Sequence, residues 1–125
     1  MQLEAYCSGI GKVLLAWLPE SDREAYLATG PFPALTARTI TAPGALRREL
    51  AHVREAGYAI DDGEIAEGLQ CLAVPVRSPD GRVIAAISAS RSAVQGGASP
   101  PEGMLAEIRV SEADIEAILA DVLAV

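Results

Sequence analysis

Three groups of residues in this chain have types and spacings that could do chemistry. The first is Ser8-Gly9-Ile10-Gly11-Lys12, a glycine-rich start to a helix. Free N–H groups and the positive end of a helix dipole make such a start suited to a carboxylate or a phosphate. It is not a Walker A loop, because Val13 follows the lysine where that motif needs Ser or Thr. The competing reading is structural: Gly9 and Gly11 let the helix pack closely. The second group lies on two strands, with Leu69, Cys71 and Ala73 alternating onto one face of the first and Ser88 and Ser90 sharing a face of the second. Its competing reading is a half-buried sheet whose hydroxyls are satisfied by backbone or water. The third group is Asp61-Asp62-Gly63-Glu64 with Glu67. Acids in a turn are ordinarily solvated, and the spacing lacks the D-x-[DN]-x-[DN]-G pattern of an EF-hand, so no metal is implied.

Catalysis would need an activated group. Cys71 with His52 is the one Cys–His combination, yet His52 falls with Ala45, Glu49 and Ala56 on the polar side of its helix, which makes it a surface residue. G-x-S-x-G, H-E-x-x-H and paired-carboxylate motifs are missing from the sequence. The residues therefore point to a binding domain rather than an enzyme, with no cofactor. Cys7 and Cys71 lie 64 apart without a C-x-x-C or a His-rich neighbour, and read as buried thiols.

The elements that must hold these groups follow from pattern. Ser8 caps a helix from Gly9 to Leu18 whose apolar stripe is Ile10, Val13, Leu14, Trp17 and Leu18. Ser21 and Glu24 fit a capping box for a short second helix reaching Ala28. Leu35 to Ile40 is threonine-rich and reads as extended. Thr41, with Pro43 in the first turn, opens a third helix that Gly57 closes, burying Leu46, Leu50 and Val53 and leaving Arg47, Arg48, Glu49, Arg54 and Glu55 to solvent. Period two then takes over: a short strand at Tyr58 to Ile60, then Leu69 to Arg77 and Arg82 to Ser90 joined by Ser78-Pro79-Asp80-Gly81. A two- or four-residue loop there pairs Cys71 with Ser88 and Leu69 with Ser90. A three-residue loop with Gly81 as a bulge slips the register by one and sends the serines to the opposite face. Residue pattern alone leaves both open. A loop or linker at 95–103 precedes a terminal helix over 104–124, with Ser111 as a point where it could be re-capped. The order predicts an α+β fold, an antiparallel sheet covered by helices.

The chain has 125 residues, enough for one core but not two. With 17 acids against 10 bases, and Lys12 as its single lysine, its net charge of −7 argues against a nucleic-acid-binding surface. No apolar run reaches membrane-spanning length and no signal peptide opens the chain, so the expected location is cytoplasmic, with no membrane partner. Three strands make a thin sheet for this much apolar sequence, which predicts further strands upstream of Met1 or from another chain.

Three segments in order, S-G-x-G-K-x-x-L-A at 8–16, R-x-x-G-Y-x-x-D-D at 54–62 and G-L-x-C-L-A-x-P-V at 68–76, resemble the effector-binding domain of IclR-type bacterial transcriptional regulators. The resemblance runs from about Leu3 to Ser92. It implies a GAF-like, profilin-like sensor for a small metabolite, often a carboxylate or an aromatic-pathway intermediate, with a small organic acid the expected effector, working as a homodimer or tetramer. DNA would be contacted only through a winged helix-turn-helix domain outside this chain. The chain would be a single, partial effector-binding domain. The resemblance places the effector pocket on Gly9, Ile10, Asp61, Leu69, Cys71, Ser88 and Ser90, and so favours the register with Cys71 and the serines on one face. Ile10 stands where small-carboxylate sensors have a smaller residue, which reshapes the pocket. The other reading is a ligand-free interaction or oligomerisation module.

Overall fold

The computed structural model describes residues 5–92 and 102–123. Their order is α1 (Gly9–Ala16), α2 (Glu20–Leu27), α3 (Pro43–Ala56), β1 (Ala59–Asp62), β2 (Leu69–Arg77), β3 (Val83–Ser92) and α4 (Glu102–Leu123). The fold is α+β, as expected. The three strands form one antiparallel sheet in the order β1-β2-β3.

β2 is central and apolar on both sides, so each face needs a cover. One face packs under α1 and α3, in a core that includes Val13, Ala16, Leu46, Leu50, Val53, Ala59 and Ala73. On the other, α4 lays Ile108 against Leu72 and Val74, with Ile60, Ile87, Met104 and Leu105 around them. Fully burying a Leu or Val is worth about 1.5–3 kcal/mol, so the two clusters hold the sheet between helical layers. Leu46, Leu50 and Val53 form the buried stripe of α3 as their spacing predicts. Pro43 starts that helix, and Gly57 ends it with φ at +84°, a conformation open to glycine at little cost.

Several local expectations are corrected. α2 begins at Glu20 with Pro19 before it, so Ser21 sits inside the first turn and caps nothing. α4 is already helical at Glu102 and runs unbroken through Ser111, whose hydroxyl turns back toward the Glu107 carbonyl. Residues 95–101 of the expected loop lie outside the described residues, as does the end of the terminal helix beyond Leu123. Residues 35–40 are turns rather than a strand. The Thr39 hydroxyl accepts the Leu35 and Thr36 N–H groups and the Thr36 hydroxyl accepts that of Arg38, so threonine side chains satisfy the backbone that strand pairing would have served.

The face of α1 is also different from the apolar count. Ile10 and Leu14 point outward, 38% and 40% exposed, while Gly9, Lys12, Val13 and Ala16 face the protein. Small residues explain the choice: a Cβ on Gly9 would meet the Cβ of Ala73 at 3.2 Å, so glycine sets how closely α1 approaches the sheet.

Candidate functional site

The β2–β3 hairpin brings Cys71 and the serines to one face by a route that pattern alone did not show. Ser78 N–H bonds the Arg82 carbonyl and Gly81 N–H the Ser78 carbonyl, with Gly81 at φ +87°, so Pro79-Asp80-Gly81 forms the three-residue loop. That slips the register by one. A bulge then follows, Arg77 facing Val83 but Val76 facing Ala85, which leaves Ile84 unpaired and slips it by one more. The two slips restore the original face. Cys71 therefore faces Ser90, Ala73 faces Ser88 and Leu69 faces Ser92, two residues along from the pairs a two- or four-residue loop would make.

β1 extends the same row. Asp61 lies opposite Cys71, so Asp61, Cys71 and Ser90 stand side by side on three adjacent strands, with Ala59, Ala73 and Ser88 as the next row. Cys71 Sγ is 3.1 Å from Ser90 Oγ. Cys71 is half-buried, not the sealed thiol expected, whereas Cys7 is buried in the core. Ser88, Ser90 and Leu69 are exposed. Over this face comes the start of α1: Gly9 rests on Ala73, and Ile10 lies beside it toward solvent. Ser8 caps the helix as predicted, its hydroxyl accepting Gly11 N–H at 2.9 Å and its carbonyl accepting Lys12 N–H at 2.9 Å. Gly9 and Ile10 carry the two amides ahead of those the cap engages.

Asp61 is the buried end of the row, 1% exposed. Its Oδ1 accepts the Glu64 N–H at 2.7 Å, which makes it first a brace for its own turn. The third group thus divides in the structure. Asp62 pairs with Arg38 at 2.8 Å on the surface, while Asp61 and Glu64 turn inward, so the turn is not the solvated loop its composition implied. A separate cleft of about 390 Å³ lies on the outer side of this turn between Thr36, Arg38, Asp62 and Glu67, and none of the seven expected residues lines it.

What sequence reasoning missed is that Lys12, Glu49 and Glu64 meet: Glu49 was expected in solvent and Glu64 in a solvated turn, yet both bond Lys12. Lys12 is fully buried, and its Nζ donates to Glu49 Oε2 at 2.8 Å, Glu64 Oε2 at 2.9 Å and the Ile60 carbonyl at 2.6 Å. Burial pulls the Lys12 ammonium down, but the glutamates outweigh it and hold the group above the ordinary lysine value. Burial pushes both the Glu64 and Asp61 carboxyls up, against the pull of Lys12. One signal in the sequence marks Lys12: it shares the i, i+3, i+4, i+7 face of Gly9, Val13 and Ala16.

The raised Asp61 carboxyl has a consequence for stability. A carboxyl raised in the folded state favours folding most below its unfolded value, and that contribution is lost as pH rises through the folded value. Asp61→Asn keeps an oxygen for the Glu64 N–H and removes the titrating charge. Its melting temperature relative to the wild type is therefore expected to be higher at pH 7 than at pH 4, a trend that paired thermal melts across that range would check.

The family model for the bacterial transcriptional regulator IclR C-terminal domain matches residues 1–116. The chain belongs to the IclR C-terminal family. It is the effector-binding domain of an IclR-type regulator, a family of transcriptional regulators and not of enzymes. It is 43% identical over 89 residues to the HTH-type transcriptional regulator XynR of Escherichia coli K12, covering 71% of this chain and 35% of XynR. The chain spans about a third of the length of the curated relatives it matches. A transcriptional regulator of Rhodococcus sp. RHA1 superposes with a TM-score of 0.90 at 36% identity, over 94% of this chain and 48% of that one. An IclR homologue from Microbacterium hydrocarbonoxydans, solved in complex with 4-hydroxybenzoate, superposes at 0.82 and 36% identity, over 92% of this chain and 45% of that one. Among the described residues of this IclR domain, no helix is long and apolar enough to cross a membrane.

Proposed function

We propose that this IclR domain senses a small organic acid on the sheet face under the start of α1. The observation that carries the reading is the row Asp61, Cys71, Ser90, lying with Ser88 on the face that Gly9 covers. The Gly9 and Ile10 amides hold the effector carboxylate. The Ser88 and Ser90 hydroxyls bond its remaining oxygens, Asp61 takes an effector hydroxyl, and Leu69 and Ile10 form an apolar rim. Cys71 contributes a small polarisable surface beside Ser90. A chain of net charge −7 repels an anion at long range, so these local N–H and O–H donors must do the binding. The 4-hydroxybenzoate bound by a homologue supports a carboxylate-bearing ligand class.

The chain is then one partial sensor domain of a longer cytoplasmic regulator. Binding biases how a homodimer or tetramer presents its DNA-binding domains, which lie outside this sequence. A thermal-shift screen of 2-oxo acids, hydroxy acids and hydroxybenzoates tests the reading. A true effector raises stability by RT ln(1 + [L]/Kd), about 2.7 kcal/mol at a hundredfold excess over Kd. A panel that leaves the melt unmoved at millimolar concentration contradicts it.

A further inference from the structure

We propose that Lys12 is the positioning residue of the effector site, a role that rests on the reading above. Its ammonium, one helical turn beyond Gly9, reaches both flanks of Asp61. It bonds the carbonyl of Ile60, directly before Asp61, and the carboxylate of Glu64, whose own N–H is the donor to Asp61 Oδ1. One buried charge thus fixes the gap between the two sides of the site, the α1 amides and the Asp61–Cys71–Ser90 row. Glu49 anchors the same ammonium to α3.

The turn has few other holds on its inner side. Among the described residues Glu64 Oε1 is buried with no hydrogen-bond partner, so the carboxylate is kept in place by Lys12 through its other oxygen. On the outer side, the Thr36 hydroxyl donates to the Gly63 carbonyl and the Thr39 hydroxyl to that of Glu64. Those threonines hold the turn to the loop before α3, not to α1. Without Lys12 the turn keeps its outer clasp and loses its distance to the amides of Gly9 and Ile10. Lys12 therefore sets effector affinity without touching the effector, as supporting groups do around other preorganised sites.

The test uses Lys12→Met combined with Glu64→Gln, which removes the Lys12–Glu64 pair without stranding the buried Glu64 charge and leaves the partly exposed Glu49 to water, and Glu64→Gln alone. Hydrogen exchange is read on the ligand-free chain, and Kd is measured for pyruvate and for 4-hydroxybenzoate. Exchange over 61–65 is expected to quicken by about tenfold or more while Leu72 and Val74 in β2 keep their protection. Kd is expected to weaken about tenfold for whichever probe binds, the scale of an ordinary coupling between sites. Unchanged exchange at 61–65, exchange that quickens equally in β2, or an unchanged Kd in the double variant overturns the role. If the double variant does not fold, Glu64→Gln alone decides, with a smaller shift of the same pattern. If the wild type binds neither probe, the small-acid reading fails while the exchange pattern still judges Lys12.

Discussion

Lys12→Met alone is expected to destabilise the domain by about 3–5 kcal/mol, the usual cost of leaving a buried charge without its partner. The side chain is fully enclosed and Met matches its stem as far as Cε, lacking only the ammonium, so apolar packing changes little. Electrostatics change greatly. Among the described residues, Glu64 loses the group that bonds its Oε2, and its Oε1 already has none. Glu49, whose side chain is partly exposed, can turn to water and recover its solvation; Glu64 cannot. Removing the second charge with Glu64→Gln should restore much of the loss, because replacing a whole buried pair is often close to neutral. The raised Lys12 value means its contribution is complete at neutral pH and is lost only as pH rises through the folded value. Urea denaturation at pH 7 checks the size. A loss below about 1 kcal/mol, the range of exposed pairs, would mean that the ammonium is solvated and not sealed.

Gly11→Ala sets two effects of opposite sign against each other. Inside a helix alanine is favoured over glycine by about 1 kcal/mol. Here, however, a Cβ at position 11 would lie 2.4 Å from both the Cα and the carbonyl oxygen of Ala5, and 2.6 Å from Ser8 Oγ. The first two are backbone atoms and cannot swing aside. Overpacking of this kind costs about 1–3 kcal/mol, and displacing Ser8 from its cap adds about 1 kcal/mol. The sum outweighs the propensity gain, so the variant is expected to be less stable by about 1–3 kcal/mol, read from its denaturation midpoint. The same displacement moves the Gly9 and Ile10 amides, so affinity for small acids should fall with it. A more stable Gly11→Ala would show that this glycine serves no close approach.

How far these features could be read in sequence depends on whether their causes are local. α3 was legible because Leu46, Leu50 and Val53, Pro43 and Gly57 each act within a turn of one another. β2 and β3 were legible from alternation, and the family segments hold five of the seven residues of the proposed site, Gly9, Ile10, Asp61, Leu69 and Cys71, but neither Ser88 nor Ser90. The inward face of α1 was not. An apolar count favours Ile10 and Leu14 over Gly9 and Lys12, whereas close approach to Ala73 and the enclosed ion pairs decide for the latter. The pairs that bury Lys12 span 37 and 52 residues, so nothing near Glu49 or Glu64 marks them as partners. The threonines of 36–39 have strand-forming chemistry, but their hydroxyls bond the distant 63–64 carbonyls and hold turns instead. In the hairpin the three-residue Pro-Asp-Gly loop was one of two open readings, and the unpaired Ile84 was not foreseen. One slip without the other would have put Ser88 and Ser90 on the wrong face.

That face is the heart of the proposal, and calorimetric titration of hydroxybenzoates and 2-oxo acids into the wild type and into the Ser88→Ala, Ser90→Ala double variant tests it most directly. Both serines are exposed and neither supports the core, so the variant should melt as the wild type does. Losing two hydroxyl bonds to a charged ligand, at about 1.5 kcal/mol each, predicts affinity weaker by about a hundredfold. An acid that binds both proteins equally would place the effector elsewhere on the domain and contradict the site.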